Sequence, residues 1–168
     1  SILFMLFLFR KDCFMIRVCF VCLGNICRSP MAEFIFKDMV KKENLENKIM
    51  IESRGTSDEE LGNGIHPGTI QELNKHHIPY TPRTAIQLKK EEYDNFDYFI
   101  SVDNLNCRLM RNLFVHDSKL KVYRLLDFSK VKKDIADPWY TGNFITTYQE
   151  IELGCRVFLD YLIKKENF

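Results

Sequence analysis

Glycine, proline and tryptophan are scarce in this sequence, and neither sign of charge is in excess. The 168 residues include 7 Gly, 5 Pro and 1 Trp, and the formal net charge at pH 7 is +1. So little Gly and Pro excludes collagen-like and low-complexity chains, and the balanced charge gives no reason to expect a nucleic acid or an anionic membrane as partner. With 46% apolar and 28% charged residues, the sequence predicts an ordinary globular domain.

Cysteine is too sparse for a fold held together by disulfides. The six Cys are spread over 168 residues without a paired spacing, so we expect mostly free thiols in a reducing, cytoplasmic compartment. Half of them, Cys19, Cys22 and Cys27, nevertheless lie close together in the sequence. This clustering calls for a chemical explanation.

The longest apolar run, residues 2–9, is too short to span a membrane, which needs about 20 residues. A secretory signal would place its positive charges before the run, whereas Arg10 and Lys11 follow it. We therefore predict no membrane span, an upstream extension or cloning remnant over residues 1–14, and a single domain over 15–168 that begins naturally at Met15. A weak membrane-contacting tail is the alternative for the extension.

Short apolar runs alternate with segments of helical periodicity along the rest of the chain. The first run is apolar on both faces, as is typical of strands in parallel sheets. The alternation predicts an α/β fold with a short parallel sheet, whose ligands would bind where the strands end. Strands are predicted over 16–21, 48–53, 97–102 and 121–126, and helices from Ser29-Pro30 onward and over 69–77, 104–114 and 144–163.

The turn after the first strand holds a Cys-x5-Arg motif, from Cys22 to Arg28, and leads into a helix opened by Pro30. Gly24 and Asn25 tolerate the positive φ angles of a turn that aims backbone N–H groups inward as an anion nest. The helix dipole adds positive potential at the same place. The turn is therefore predicted to bind an anion.

The same turn supplies the groups for chemistry on a phosphate. Arg28 can hold two phosphate oxygens, and the Cys22 thiol in that positive field loses its proton easily, which suits in-line attack on phosphorus. Asp137, in a predicted loop beside Trp139 and Tyr140, is the best candidate for the acid that protonates the leaving oxygen. Burial near the aromatic residues would keep it protonated. An Asp that merely initiates a turn before Pro is the alternative.

The sequence resembles the low-molecular-weight protein tyrosine phosphatases, especially the bacterial ones. The resemblance rests on residues 21–33, Val-Cys-Leu-Gly-Asn-Ile-Cys-Arg-Ser-Pro-Met-Ala-Glu, and on residues 137–142, Asp-Pro-Trp-Tyr-Thr-Gly, and it covers about residues 15–165. It implies a four-stranded parallel sheet flanked by helices on both faces, with a phosphate-binding loop between the first strand and the first helix. It also implies a phosphocysteine intermediate formed without metal or cofactor.

The resemblance implies a role for each matching residue. Cys22 would be the nucleophile, Arg28 the phosphate clamp and Asp137 the general acid and then base, while Ser29 would stabilise the Cys22 thiolate. The loop residues implied to contact the substrate phosphate are Leu23, Gly24, Asn25, Ile26 and Cys27. Asn25 would also hold the loop shape with help from Ser53, and Leu23, Trp139 and Tyr140 would form the walls of the cleft. Cys27 could form a reversible disulfide with Cys22 that protects it from over-oxidation.

Phosphotyrosine proteins or small aryl phosphates are the implied substrates, with inorganic phosphate as product and inhibitor, and the protein is expected to be a monomer or weak dimer. The sequence departs from the family in two places. Residues 58–60 are acidic where many members carry an aromatic residue, which predicts poorer activity on acid-flanked phosphotyrosine peptides. Ile86 stands where members often carry Arg, and it has no functional explanation.

Three other functions remain open. A protein-arginine phosphatase of the same fold usually has Thr in place of Ile26. A thiol-dependent arsenate reductase needs a resolving pair of cysteines, and here only Cys107 is near the expected place. A non-catalytic phosphate-binding module has no support, because the catalytic set is complete. Zinc or redox chemistry at Cys19-x2-Cys22 is disfavoured, since the two side chains would point to opposite faces of a strand.

Overall fold

The central sheet consists of four parallel strands in the order β2-β1-β3-β4. The computed structural model describes residues 14–168, so the predicted extension over residues 1–14 lies almost entirely outside the described residues. The predicted four-stranded parallel sheet is confirmed. Its strands are β1 (Ile16–Cys22), β2 (Ile49–Gly55), β3 (Tyr98–Ser101) and β4 (Val122–Arg124).

Helices cover both faces of this sheet, as expected. The α-helices are α1 (Arg28–Lys42), α2 (Pro67–Lys75), α3 (Asn104–Leu113), α4 (Pro138–Thr141) and α5 (Phe144–Glu166), and 3₁₀ helices span Lys90–Asn95 and Leu125–Phe128. Within residues 14–168, no helix is long and apolar enough to cross a membrane.

Strand β1 divides the core in two because its side chains alternate between the faces. Phe20 and Cys22 face the larger core, which α1 and α5 cover, whereas Cys19 and Val21 face a smaller core beneath α3. The prediction that Cys19 and Cys22 point to opposite faces is therefore confirmed. The spacing of these two cysteines does not bring their sulfur atoms to one site.

Aromatic rings fill the larger core. The ring of Phe158 stacks on that of Phe36 at 5.4 Å and lies 4.8 Å from that of Phe128. Phe20 meets Phe36 edge to face at 5.3 Å, and Tyr98 meets Phe158 in the same way at 5.6 Å. Such pairs add about 0.5–1.5 kcal/mol each to the stabilisation from burial. This cluster anchors α1 and α5 to the sheet.

Two predicted elements differ from the structure, and a third element was not predicted. The fourth strand ends at Arg124, because the apolar pair Leu125 and Leu126 is buried in a 3₁₀ turn instead. Helix α5 approaches this turn so closely that a Cβ atom on Gly154 would lie 2.5 Å from Leu125 Cγ. The 3₁₀ helix over Lys90–Asn95 was not predicted, and the predicted loop after residue 134 contains α4.

The topology places the first turn at a crevice. Strand β1 pairs with β2 on one side and β3 on the other, so the chain crosses in opposite directions from its carboxyl end. In open α/β sheets this point is where ligands bind. The turn between Cys22 and Arg28 lies there, as the sequence predicts.

Candidate active site

The loop between β1 and α1 has its carbonyl groups turned outward. Backbone or side-chain donors outside the loop hold four of them, with Thr56 N on Cys22 O at 2.9 Å, Ser57 N on Leu23 O at 3.0 Å, His66 N on Ile26 O at 2.9 Å and Thr69 Oγ1 on Cys27 O at 3.1 Å. Within residues 14–168, no chain atom accepts a hydrogen bond from the backbone N–H of Leu23, Gly24, Ile26 or Cys27. These amides remain available to an anion in the loop.

Asn25 gives the loop its curvature. Its φ is 58°, in the left-handed region, and its backbone N–H donates to Cys22 Sγ at 3.3 Å. The expectation of a positive φ at Gly24 is wrong, because the positive-φ glycines of the described chain are Gly62 and Gly142. Gly24 instead leaves room for a neighbour, since a Cβ atom there would lie 3.0 Å from Glu60 Cγ.

The Cys22 sulfur lies at the floor of the loop in a polar network. Its Sγ is 3.0 Å from Ser29 Oγ, and the side-chain amide of Asn25 donates to Ser29 Oγ at 2.8 Å and to Ser53 Oγ at 3.0 Å. All four residues are buried. The structure thus brings together the predicted nucleophile, its predicted stabiliser and the predicted loop support.

Arg28 is held from behind by groups that the sequence analysis missed. Its Nη1 donates to Asp103 Oδ2 at 2.8 Å and to Ile135 O at 2.9 Å, and the residue is 4% exposed. Asp103 also caps α3 by accepting from Asn106 N at 2.8 Å. An Asp directly after a strand and before a helix is the signal that could have identified it.

Asp137 lies opposite the loop, within reach of Arg28. Its Oδ2 accepts from Arg28 Nη2 at 2.9 Å, and its Oδ1 caps the single turn of α4 by accepting from Trp139 N at 3.1 Å. The aromatic neighbours do not bury it as expected, since Trp139 is 57% and Tyr140 81% exposed. In α4 it is Pro138 that packs inward, so the two rings project toward solvent. Asp137 is therefore paired with a cation rather than enclosed by apolar rings.

These groups line a small cleft that is open to solvent. Its floor is the loop with Cys22 and Arg28, and Trp139 and Tyr140 stand at one side. Glu59 and Glu60 line the same cleft, where the sequence predicts an acidic rim.

Comparisons with known proteins agree with this geometry. Residues 17–167 match the family described as "Low molecular weight phosphotyrosine protein phosphatase". The chain belongs to this family.

The relatives match over nearly their whole length. The low molecular weight protein-tyrosine-phosphatase YfkJ of Bacillus subtilis is 40% identical over 155 residues, 91% of this chain and 99% of that protein. PtpA of Staphylococcus aureus is 40% identical over 154 residues, 91% of this chain and 97% of its own length. The crystal structure of YfkJ superposes with a TM-score of 0.86 at 41% identity, covering 90% of this chain and 96% of that one. A Streptococcus pyogenes phosphatase of the same family gives a TM-score of 0.81 at 41% identity, covering 91% of this chain and 97% of its own.

In this member of the low-molecular-weight phosphatase family, the wall of the cleft has a support that the sequence analysis missed. The ring of His66 stacks on Phe144 at 4.9 Å and meets Trp139 edge to face at 5.9 Å. His66 Nδ1 accepts from Gly68 N at 3.0 Å, which fixes the ring orientation. His66 thereby connects the first turn of α2 to the wall formed by Trp139.

Within residues 14–168, four further thiols of this phosphatase are buried. Burial raises the pKa of Cys27 to about 12, with the neighbouring Cys22 as a further cause. Burial also raises the pKa values of Cys19, Cys107 and Cys155. These four thiols are therefore protonated at neutral pH and are poor nucleophiles.

Proposed function

We propose that this protein hydrolyses phosphotyrosine in proteins, and small aryl phosphates, through a phosphocysteine on Cys22. The observation that carries the proposal is the position of the Cys22 sulfur in a loop in which donors from outside hold four carbonyls and four backbone N–H groups have no acceptor in the described chain. Arg28 adds a guanidinium beside the same space. A tetrahedral dianion fits this combination of donors and positive charge.

In the first half of the reaction, the Cys22 thiolate attacks phosphorus and the bond from phosphorus to the tyrosine oxygen breaks. Asp137, at the mouth of the cleft, donates its proton to the departing phenolate. The loop amides and Arg28 stabilise the charge on the three equatorial oxygens. No metal ion is required for any of these roles.

In the second half, Asp137 takes a proton from water, which attacks the phosphocysteine. The sulfur–phosphorus bond breaks, inorganic phosphate leaves and the Cys22 thiolate is restored. Ser29 donates a hydrogen bond to the sulfur, which makes it a better leaving group. The same carboxyl thus serves as acid and then as base.

We expect Arg28 to exchange one of its hydrogen-bond partners during this cycle. Asp103 and Ile135 O hold Nη1, whereas Nη2 contacts Asp137, which lies at the cleft. A bound phosphate takes over Nη2, and Asp137, released from the cation, takes up a proton from solvent and turns toward the leaving oxygen. The two fixed contacts keep the guanidinium plane in place while this happens.

The walls of the cleft determine the substrate. Leu23, Trp139 and Tyr140 present apolar surface to a tyrosine ring, and Ile26 offers no hydroxyl to position water for a phosphoarginine. We propose that the protein works in the cytoplasm, where Cys22 stays reduced, as a monomer or weak dimer. Inorganic phosphate, which binds the same donors, is expected to inhibit.

One set of assays tests the proposal. Wild type, Cys22→Ser and the control Cys107→Ser are assayed on p-nitrophenyl phosphate, a phosphotyrosine peptide, a phosphoarginine protein and arsenate. We expect metal-independent hydrolysis of the first two substrates, lost by roughly 10⁴-fold or more in Cys22→Ser and retained in Cys107→Ser. Activity that survives in Cys22→Ser would rule out this nucleophile. Preference for phosphoarginine, or arsenate reduction that depends on Cys107, would favour the alternatives.

The acidic rim is proposed to select against acidic substrates. Glu59 and Glu60 line the cleft, so a peptide with acidic residues beside its phosphotyrosine meets like charge. Exposed charge pairs contribute about 0.2–1 kcal/mol each, so we expect a roughly threefold to tenfold higher kcat/KM for basic-flanked peptides. The preference shrinks in Glu59→Gln/Glu60→Gln and at high salt. Equal kcat/KM for the two peptides in the wild type would refute this selection.

Cys27 is proposed to protect the nucleophile. Peroxide converts the Cys22 thiolate to a neutral sulfenic acid, which removes the negative charge that helps to keep Cys27 protonated. Cys27 then loses its proton and displaces water from Cys22 to give a disulfide that a thiol reductant reverses. In Cys27→Ser, recovery of activity by dithiothreitol after peroxide treatment should be lost. Equal recovery in the variant and the wild type would contradict the role of Cys27.

A further inference from the structure

Arg83 joins the phosphate-binding loop to α1 from a segment that follows α2. Its Nη2 donates to Asn25 Oδ1, and its Nη1 donates to Ser53 Oγ and, at 2.7 Å, to Glu33 Oε2. The Arg83 side chain is 14% exposed and that of Glu33 8%. A nearly buried guanidinium with side-chain acceptors in the loop, in β2 and in α1, and with Thr84 O as a further acceptor at 3.2 Å, is well fixed.

The contacts of Arg83 determine which way the Asn25 amide faces. Arg83 has only donors, so the atom of Asn25 that it contacts must be the carbonyl oxygen Oδ1. The backbone N–H of Ile86 donates to the same oxygen at 3.0 Å. The amide nitrogen Nδ2 must then face the other way, where it donates to Ser29 Oγ at 2.8 Å. An amide turned by 180° would place an NH₂ group against the guanidinium.

The orientation of Asn25 in turn directs the Ser29 hydroxyl. Because Ser29 Oγ accepts from Asn25, its own proton must go to another acceptor. The two within reach are Cys22 Sγ at 3.0 Å and Arg54 O at 3.3 Å. The sulfur is nearer, and as a thiolate it is the stronger acceptor. The chain of donors therefore runs in one direction, from Arg83 through Asn25 and Ser29 to Cys22.

We propose that Arg83 is a positioning residue for the reaction: by fixing the Asn25 amide it makes the Ser29 hydroxyl donate to the Cys22 sulfur. Glu33 is its counter-ion and, by accepting from Ser53 Oγ at 2.5 Å, orders the second hydroxyl of the network. Arg83 does not contact the substrate space; it acts through Asn25. The contact of residue 86 with Asn25 is made by the backbone.

This inference rests on the proposed function, and a double-mutant cycle tests it. The rate of Cys22 alkylation by iodoacetamide is followed against pH by mass spectrometry in wild type, Arg83→Met, Ser29→Ala and the double variant. We expect Arg83→Met to move the midpoint of this profile upward by about one pH unit. In the Ser29→Ala background the same substitution should move the midpoint little further, because the hydroxyl through which Arg83 acts is gone.

Turnover provides the second measurement. With p-nitrophenyl phosphate, Arg83→Met should lower kcat roughly tenfold, and Arg83→Lys, which keeps the charge but not the planar fork, should recover part of the loss. The matched control is Lys37→Met. It removes the cation on the other oxygen of the same carboxylate, Glu33 Oε1 at 2.6 Å, and should leave kcat and the alkylation profile within about twofold of wild type.

Three results would overturn the inference: an unchanged profile in folded Arg83→Met, an equal shift with and without Ser29, or an equal effect of Lys37→Met. The last two would show that Arg83 acts only as a distant charge. Should Arg83→Met not fold, Arg83→Lys replaces it in the same double-mutant cycle, and we expect shifts of the alkylation midpoint in the same direction but smaller. The charged groups lining the cleft with Cys22 stay unchanged in every variant, and they are Arg28, Glu59, Glu60 and Asp137. Alkylation needs no substrate, so failure here leaves the phosphatase assignment standing.

Discussion

The two ends of strand β1 are built on different physical principles. Along the strand before its carboxyl end, Val18 and Phe20 are fully buried, and Phe20 packs against the ring of Phe36 in a contact that involves no hydrogen bond. At its carboxyl end, Cys22 lies beside Asn25 and Ser29, whose side chains are held in place by hydrogen bonds. Burial of apolar surface tolerates small shifts, whereas a hydrogen-bond network loses its function when one donor turns.

This contrast indicates that the aromatic core provides stability, whereas the polar network provides the chemistry. The aromatic core holds α1 and α5 against the sheet, and the loop is shaped by contacts from elements that this core has already fixed. We therefore expect substitutions in the polar network to lower activity, and substitutions in the aromatic core to lower the free energy of unfolding.

The largest effect should come from the polar end, at Asp137. Asp137→Asn removes the proton donor, so kcat should fall by roughly 10²–10⁴-fold, while Asn still caps α4 and the melting temperature stays close to that of the wild type. The wild-type rate should follow a bell-shaped, mildly acidic pH profile, and the variant should lose its alkaline limb. Steady-state kinetics across pH checks both expectations. Unchanged turnover would point to another acid.

The next largest effect should come from the aromatic core, at Phe158. This residue is fully buried and contacts the rings of Phe36 and Phe128, so Phe158→Ala should cost about 3–5 kcal/mol of unfolding free energy. The surviving folded protein should keep its kcat within about twofold. Urea unfolding and assays at low temperature measure the two quantities. A large loss of kcat in folded protein would show that the aromatic core does not serve stability alone.

Asp103 tests whether a buried charge at the polar end serves binding or stability. Asp103→Asn keeps the cap of α3 but removes the anion that holds Arg28, so we expect a roughly tenfold weaker inhibition by phosphate. Phosphate inhibition constants and melting temperatures are compared with those of Asp137→Asn. A fall in melting temperature with unchanged phosphate inhibition would assign Asp103 to stability instead.

The smallest effect should be a loss of stability at alkaline pH, caused by one titrating group in each of the two regions. Burial raises the pKa of Cys27 from 9.0 and that of Tyr148 from 10.0, each to about 12. The folded state therefore holds these protons more tightly than the unfolded chain. Their contribution is complete below about pH 9 and is lost as pH rises toward about 12. The melting temperature should fall over this range, and Tyr148→Phe should lessen the fall. A flat profile would contradict the cause given for these shifts.

The sequence predicted the parts of the site that are contiguous in the chain. Cys22, Arg28 and Ser29 share one turn, so the turn chemistry and the following helix indicate their role directly. The α/β fold and parallel sheet followed from the alternation of strands and helices. The prediction for Gly24 was wrong because the close approach of Glu60, rather than a positive φ, determines that position.

The parts that were missed depend on tertiary contacts. Asp103 reaches Arg28 across 75 positions, and Arg83 reaches Asn25 across 58. No local pattern connects such pairs, since their proximity arises from the order of strands in the sheet. The shortened β4 was missed for a related reason, because Leu125 and Leu126 are equally apolar in a strand and in a 3₁₀ turn beneath α5.

The ion pair between Arg28 and Asp137 means that the carboxylate of Asp137 competes with any bound anion for the guanidinium. Any incoming oxyanion must displace a tethered carboxylate, so measured affinity is the difference between two anions rather than the strength of one contact. Weakly basic or singly charged anions gain little by this exchange, whereas a dianion gains much. We therefore expect the cleft to select its ligands by charge.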